Sequence, residues 1–358
     1  MHRVTLSAIA AALSLAALTR LPSAILYSAR RQPSTITVTV IDAGARYPLA
    51  NADVIDLVGG QHRFTNERGQ ARLPWPSDGQ LRLRVREVGY KPVQRTLQRA
   101  TASDEATTFA LNKVAYVISP VKATSHCVTT DDSASLALSV SALDQLKQGA
   151  QKYNEFRRLY PFEASVERRT AQIPERGPVK RIIRQNEKFQ SESWEPPYRP
   201  GNIVEYNRDG SFKAPILFLS TLGDSVFWEH HCFIARGIQS YQGIRAVRLE
   251  FSPVTDLRGP DWEGAALLDS ATSFLLRVDF HLVNLDAHKG LSRLEGYQTF
   301  NSPSPFVIIP DSVAAIWWIR QRSNDDRTPE RPDVVQSLRI DSLKYRKAKP
   351  PEYQAVRQ

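Results

Sequence analysis

The densest group of side chains that could do chemistry is the run Trp228-Glu229-His230-His231-Cys232. Histidine, cysteine and glutamate are common zinc ligands, but a zinc site needs several of them directed at one point. Neighbouring residues of a strand or helix point in different directions, and the sequence contains no H-E-x-x-H spacing, C-x-x-C pair or EF-hand loop. We therefore interpret this run as structural and expect neither a metal nor a cofactor.

Carboxylates that could support hydrolysis occur at Asp131-Asp132, Asp256, Asp261-Trp262-Glu263 and Asp269. A glycosidase needs two carboxyl groups on either side of a cleft, and the sequence does not indicate which of these would pair. The chain has no G-x-S-x-G or S-x-x-K motif and no glycine-rich phosphate loop. We predict a protein that is not an enzyme. Carboxylates or histidines clustered in a deep cleft would favour the enzymatic alternative.

Arginine alternates with apolar residues along one predicted strand, Leu81 to Arg86, with aromatic residues near its ends. This arginine stripe could hold an acidic sugar or a lipid headgroup through charge and ring stacking. The alternative is a solvated strand that resists aggregation. A further candidate is an aromatic ring expected to be exposed in a loop containing Gly and Pro. Together the candidate ligand-contact residues are Trp75, Arg82, Arg84, Arg86, Tyr90 and Trp262.

The elements that would position these side chains are mainly β-strands in residues 34–115. Ile36, Val38 and Val40 alternate with threonines, which is the pattern of a half-buried strand. Short strands of this kind recur between turns rich in Gly, Asp and Pro, without a helical pattern. This spacing predicts a small antiparallel β-sandwich.

Three motifs in this region resemble the carboxypeptidase regulatory-like domain family. They are the segment from Asp42 to Val54 with its Pro-Leu-Ala-Asn-Ala core, the turn Thr65-Asn66-Glu67-Arg68-Gly69, and the strand end Leu83 to Tyr90. Asn51 stands where glycine is frequent, and Ala71 where an aromatic residue is usual. The resemblance implies a seven-stranded, transthyretin-like sandwich of the carbohydrate-binding-like group. It also implies an accessory role without catalysis.

Residues 127–322 are predicted to form a larger, antiparallel β-rich α+β domain with one or two helices. Helical spacing is clear from Ser141 to Arg158, and a second helix is expected from Pro215 to Trp228. Alternating patterns predict strands at Phe162–Thr170 and Arg181–Gln190 and around Val247 to Phe251.

A hairpin in this domain is similar to one in periplasmic lipoprotein-carrier-like curved sheets. The matching residues run from Gly264 through Asp269 and Thr272 to Leu275, with Leu267 in a position usually held by tryptophan. The strand after the turn has an apolar face opposite Arg277, Asp279 and His281. If the protein is a carrier, an apolar cavity open to solvent is expected to be lined by Phe274, Leu276, Val278 and Phe280. A scaffold is expected to have a filled core, and full packing of these four side chains would contradict the carrier alternative.

The ends of the chain differ in composition from these domains. Residues 1–29 read as an export signal, because Arg3 precedes the uncharged run from Val4 to Leu18. An uncleaved anchor reaching Leu26 is the alternative. Residues 323–358 are polar and rich in proline and are expected to form a flexible tail, with one strand around Val334 to Leu343.

Cys127 and Cys232 are the two cysteines of the sequence. An even count after an export signal predicts a disulfide in an oxidising compartment, with two buried thiols as the alternative. The disulfide would close a loop of about 105 residues, for which the chain-entropy model gives about 4.7 kcal/mol of stabilisation.

The 358 residues carry a formal net charge of +10, with 42% hydrophobic and 23% charged residues. This composition excludes wholesale disorder and favours acidic partners. Nucleic acid is not expected, because the basic residues are not clustered and no nucleic-acid motif occurs. We expect an extracytoplasmic protein, in the periplasm, associated with the outer membrane or secreted. Its predicted role is a binding or scaffold module for a glycan or an envelope protein; the alternative is a periplasmic carrier of a lipid or acyl chain.

Overall fold

The architecture is that of a computed structural model. It describes residues 35–99, 107–114, 133–174, 177–179, 181–192, 197–208, 211–286, 290–304, 307–319 and 332–346. The predicted export signal in residues 1–29 lies outside the described residues.

Seven strands between residues 35 and 111 form two sheets around one apolar core, as predicted. Their bounds are β1 (Thr35–Asp42), β2 (Asp53–Asp56), β3 (His62–Phe64), β4 (Gln70–Pro74), β5 (Gln80–Arg86), β6 (Val93–Gln98) and β7 (Thr107–Leu111). The strand orders are β4-β1-β7 and β3-β2-β5-β6. Side chains at alternate positions enter the core, as at Ile36, Val38 and Val40.

One strand pair of this sandwich differs from the antiparallel prediction. β1 and β7 run parallel, with Val38 opposite Thr107 and Asp42 opposite Leu111. The chain passes from β6 in one sheet to β7 in the other, and a strand that changes sheet is not constrained to run antiparallel to its new neighbour.

The second half of the chain is built on a sheet of nine strands in the order β12-β13-β14-β15-β16-β17-β18-β8-β9. Their bounds are β8 (Phe162–Gln172), β9 (Ile182–Gln190), β12 (His231–Tyr241), β13 (Ile244–Pro253), β14 (Asp261–Asp269), β15 (Leu275–Val283), β16 (Leu291–Ser304), β17 (Val307–Ile319) and β18 (Val334–Tyr345). All neighbouring pairs are antiparallel. A small separate hairpin pairs β10 (Glu205–Tyr206) with β11 (Phe212–Lys213).

One long helix, α1 (Ser133–Leu159), packs against this sheet. It begins eight residues before the predicted Ser141. The first turns were not predicted, because they are rich in serine, which is a poor helix former in isolation. Tertiary contacts stabilise those turns: Leu138 is buried in the core, and the Ser139 hydroxyl accepts a hydrogen bond from the Ala235 amide at 2.7 Å.

The helix predicted from Pro215 to Trp228 is wrong. The chain there is irregular up to a single 3-10 turn (Thr221–Gly223), and only α2 (Ser225–Glu229) is helical. Pro215 lacks an amide hydrogen, and the Asp224 side chain accepts a hydrogen bond from the Val226 amide at 2.9 Å, which starts a new helix there.

The prediction of a flexible tail over residues 323–358 is wrong for Val334–Tyr345. This segment is β18, an interior strand of the large sheet between β17 and β8. The strand expected around Val334 to Leu343 is therefore confirmed, and the surrounding prolines misled the interpretation of the tail.

The sandwich contacts α1 through buried polar groups. Lys152 Nζ lies 2.7 Å from both carboxylate oxygens of Glu87, and both residues are buried. Gln145 Oε1 accepts a hydrogen bond from the Gly89 amide at 2.7 Å. The helix that covers the large sheet is thus also bound to the sandwich. Among the described residues, no helix combines the length and apolar character needed to cross a membrane.

Candidate ligand-binding cavities

The strand register divides the large sheet into two faces. We call the face on which α1 packs the covered face and the opposite one the outer face. One row of side chains on the covered face runs across seven strands, from β13 to β8: Leu249, Ala266, Val278, Gln298, Val313, Leu338 and Arg168. Two members of this otherwise apolar row, Gln298 and Arg168, are polar.

The neighbouring row of the covered face is filled by aromatic rings. It contains Phe251, Gly264, Phe280 and Gly296 in register. A Cβ at Gly264 would lie 2.8 Å from the Phe251 ring, and a Cβ at Gly296 would lie 2.8 Å from the Phe280 ring. The absence of a side chain at the glycines therefore leaves space that the phenylalanine rings fill. This part of the core is closely packed.

An apolar cavity of about 200 Å³ lies further along the covered face, beside β8, β9 and β16 to β18. Its roof includes the irregular segment Ala214–Leu219, which we call the strap. The apolar lining residues are Tyr153, Phe162, Val166, Phe189, Ile216, Phe218, Leu219, Ile309, Pro310, Val313, Leu338 and Ile340. The polar lining residues are Arg168, Glu187, Lys188, Gln298, Asp311 and Ser312.

Arg168 is the most unusual polar group of the apolar cavity. Its Nη2 atom donates a hydrogen bond to Glu187 Oε2 at 2.8 Å. Its Nε atom is buried and has no hydrogen-bond partner within the described part of the chain. A buried donor without an acceptor costs about 1–3 kcal/mol. An oxygen atom of a bound molecule could supply that acceptor.

A second, larger cavity of about 620 Å³, the loop cavity, lies on the other side of the strap. Ile216 and Phe218 line both cavities. The remaining walls come from the β10–β11 hairpin, from residues 197–203 and from the rings of Trp262 and Trp317. The loop cavity falls within the usual volume range of small-molecule sites, about 300–1,000 Å³, whereas the apolar cavity alone falls below it.

The predicted cavity lining on β15 is not where the apolar cavity lies. Val278 and Phe280 are buried in the filled part of the core, with 1% and 2% of their surface exposed, and Phe274 and Leu276 are half-buried. None of the four lines the apolar cavity. The prediction placed the cavity on the wrong strand, because alternation identifies a buried face and not the gaps in its packing.

Most of the predicted ligand-contact residues are buried. Trp75 packs in the sandwich core, and the Tyr90 hydroxyl donates a hydrogen bond to Asp42 at 2.9 Å. Arg86 is paired with the buried Asp53 at 2.8 Å. The arginine stripe is therefore reduced to two exposed side chains, Arg82 and Arg84.

Trp262 was expected to be exposed in a loop, and this expectation is wrong. It is 2% exposed, belongs to strand β14 and packs edge-on against Phe280, with ring centroids 5.3 Å apart. Its ring nevertheless forms part of the wall of the loop cavity.

In the run from Trp228 to Cys232, the ring of His231 is held by contacts with two main-chain carbonyl groups. His231 Nδ1 lies 3.0 Å from the Phe227 carbonyl oxygen, and Nε2 lies 2.8 Å from that of Trp262. Burial lowers the pKa of His231, against the opposing effect of the Asp261 carboxylate. Within the described ranges, no three His, Cys, Asp or Glu side chains are grouped so as to hold a metal ion.

Cys232 is disulfide-bonded. Cys127, the second cysteine of the sequence, lies outside the described residues, so their pairing stays a prediction.

A third hollow, of about 570 Å³, lies on the outer face and has a charged lining. Its arginines are paired with carboxylates: Arg236 lies 2.7 Å and Arg248 3.1 Å from Glu250, and Arg277 lies 2.6 Å from Asp279. These side chains satisfy one another, which distinguishes this hollow from the apolar cavity with its unpartnered Arg168 Nε.

Sequence reasoning predicted strands at the positions of β8, β9 and β18 but not that they meet at a cavity. Leu338 and Ile340 were expected in a strand of a flexible tail and not inside the large sheet, and Ile309 and Val313 were not considered. The available signal was the alternation of Leu338 and Ile340 with Arg339 and Asp341, which is typical of a half-buried strand.

No family model matches this chain, and no curated protein matches it. Solved structures that are similar include a domain named for outer membrane lipoprotein sorting from Vibrio parahaemolyticus, with 12% identity and a TM-score of 0.31, and a DUF1329 family protein from Desulfovibrio piger, with 9% identity and a TM-score of 0.31. Each match covers 57% of this chain and 94% of the other. A membrane-associated protein of unknown function from Bacteroides fragilis has 12% identity and a TM-score of 0.18, covering 86% of this chain and 97% of the other. These likenesses are too distant to carry a functional argument.

Proposed function

We propose that this protein is a non-enzymatic, exported carrier that holds an acyl chain of an amphiphile in the apolar cavity. The observation that carries the proposal is the cavity itself: an apolar pocket on the covered face that also contains a buried, unpartnered arginine donor. Apolar walls bind a hydrocarbon chain by removing it from water, while a few polar groups fix its orientation.

The scaffold function gives no account of this cavity. A protein that acted only as a scaffold would gain stability from a filled core, because a cavity in a core costs packing energy. In the row that contains Phe251 and Phe280, large side chains fill the space above the neighbouring glycines, so this sheet can form a core without a cavity. We propose that the sandwich acts as an accessory module that contacts a glycan or an envelope protein, as its resemblance to carboxypeptidase regulatory-like domains implies.

Filling the cavity tests the carrier proposal. Val166 lines the apolar cavity, and the adjacent Ser165 points to the outer face of the same strand. Val166→Trp should abolish binding of a fluorescent fatty acid, measured by titration and by displacement with unlabelled laurate. Ser165→Trp, the matched control, should bind like the wild type.

Two results would contradict the carrier proposal. One is that the wild-type protein fails to bind the fatty acid at all. The other is that Val166→Trp and Ser165→Trp bind it equally well, because binding would then occur away from the apolar cavity. Circular dichroism and thermal unfolding of both variants check that the fold is retained.

A further inference from the structure

The strap separates the apolar cavity from the loop cavity. Ile216 and Phe218 are half-buried and line both cavities, whereas Leu217 between them is buried in the core. The strap is therefore a single segment of main chain that forms the partition between the two cavities.

Few hydrogen bonds hold this partition. Pro215 has no amide hydrogen, and the segment has no regular secondary structure. Between described residues, the main chain of Pro215–Leu217 makes one hydrogen bond, in which Gln298 Nε2 donates to the Leu217 carbonyl oxygen. Gln298 is thus the polar connection between the strap and the sheet.

The position of Gln298 in the sheet indicates that packing of the core alone does not explain why a polar side chain occurs there. Gln298 is 3% exposed and stands in register between Val278 and Val313 in an apolar row. Burying an amide costs free energy unless it is hydrogen-bonded, so an apolar residue would serve the core equally well or better. The one group that an apolar residue could not hold is the Leu217 carbonyl.

We propose that Gln298 determines ligand specificity by holding the strap in place, which keeps the two cavities separate and restricts the site to amphiphiles with a single acyl chain. This inference rests on the proposed carrier function. When the strap is released, the apolar cavity and the loop cavity join into one site within the volume range of ligand pockets, which accommodates a second acyl chain.

The test compares a single-chain and a two-chain probe on the full protein. Gln298→Leu removes the hydrogen bond and retains an apolar side chain of similar size. Loss of one buried hydrogen bond should raise the affinity for dioctanoyl phosphatidylglycerol about tenfold, because the open form becomes more populated. The affinity for laurate should change much less.

Tyr297→Phe is the matched control, because Tyr297 is the preceding residue of β16 and lines the outer-face hollow instead of either cavity. It should leave both affinities unchanged. Pro215→Gly loosens the strap without touching Gln298, and it should shift selectivity in the same direction as Gln298→Leu. Hydrogen exchange at the amides of Ile216–Leu219 should become faster in both strap variants.

The outcomes separate this inference from the carrier function. If the wild type binds laurate but Gln298→Leu and Pro215→Gly retain the wild-type ratio of the two affinities, the strap has no role in specificity and only this inference fails. If the wild type already binds the two-chain probe as tightly as the variants do, the inference also fails. If the wild type binds neither probe, the carrier function fails as well.

Discussion

Two polar residues, Gln298 and Arg168, interrupt an apolar row of the covered face, and they differ in how their hydrogen-bonding groups are satisfied. The Gln298 amide has a hydrogen-bond acceptor on the strap, whereas Arg168 Nε has none among the described residues. Both occupy positions that the sheet register assigns to an apolar row. A guanidinium with an unused donor beside an apolar wall suits a molecule with a hydrocarbon chain and an oxygen-bearing headgroup.

Replacing Arg168 should therefore affect charged ligands selectively. We expect Arg168→Met to weaken laurate binding about tenfold, because a charge-assisted hydrogen bond to the carboxylate is lost. Binding of the neutral methyl laurate should be unchanged or improved, since methionine enlarges the apolar wall. Isothermal titration with both ligands measures the difference.

The neighbouring Arg169 provides the control for this prediction. Its side chain lies on the outer face and is paired with Glu167 at 2.9 Å. Arg169→Met should leave both affinities at their wild-type values. An equal loss of laurate and methyl laurate binding in Arg168→Met would indicate that Arg168 supports the fold and does not contact a headgroup.

At the scale of elements, α1 joins the two halves of the described chain. One side of the helix covers the large sheet through residues such as Leu146 and Ala150, while Lys152 reaches Glu87 of the sandwich. Burial raises the pKa of Glu87, and the ammonium group of Lys152 opposes that shift. The helix therefore depends on the sandwich for the satisfaction of a buried charge.

Removing one partner of this pair should be costly. We expect Lys152→Met to lower the free energy of unfolding by about 3–5 kcal/mol at neutral pH, because a buried carboxylate loses its counter-ion. The loss should shrink as the pH falls towards the ordinary Glu pKa of about 4.3, where protonation removes the uncompensated charge. Urea unfolding at several pH values measures both effects.

Arg158→Met is the control on the same helix, because the exposed pair of Arg158 with Glu155 is worth less than about 1 kcal/mol. The double variant Glu87→Leu/Lys152→Met should regain most of the stability lost in Lys152→Met. A loss in Lys152→Met as small as that in Arg158→Met would contradict the structural role of the pair.

Elements with strong periodicity could be predicted from the sequence, and gaps in packing could not. The alternation of Ile36, Val38 and Val40 with threonines correctly predicted the first strand of the sandwich. The helical spacing around Leu146 and Tyr153 correctly predicted α1. The strap was mistaken for a helix because apolar residues such as Phe218 and Leu222 also occur at helical spacing. The apolar cavity could not be located, because it depends on which strands meet opposite the strap.

For the whole molecule, the central claim is that a cavity on the covered face of a nine-stranded sheet holds an acyl chain. The outer face carries charges that are paired with one another, and the filled rows around Phe251 and Phe280 leave no room. Space, apolar lining and an unpartnered donor coincide at one place in the described chain, beside β8 and β18.

The most direct measurement is a crystal structure with a fatty acid brominated near its methyl end, in which anomalous scattering locates the bromine atom. We predict a bromine peak against Phe162 and Ile309, at the end of the apolar cavity away from Arg168, with the carboxylate within hydrogen-bonding distance of Arg168 Nε. A peak confined to the outer-face hollow beside Arg277, or an apolar cavity that stays empty at saturating ligand, would contradict it.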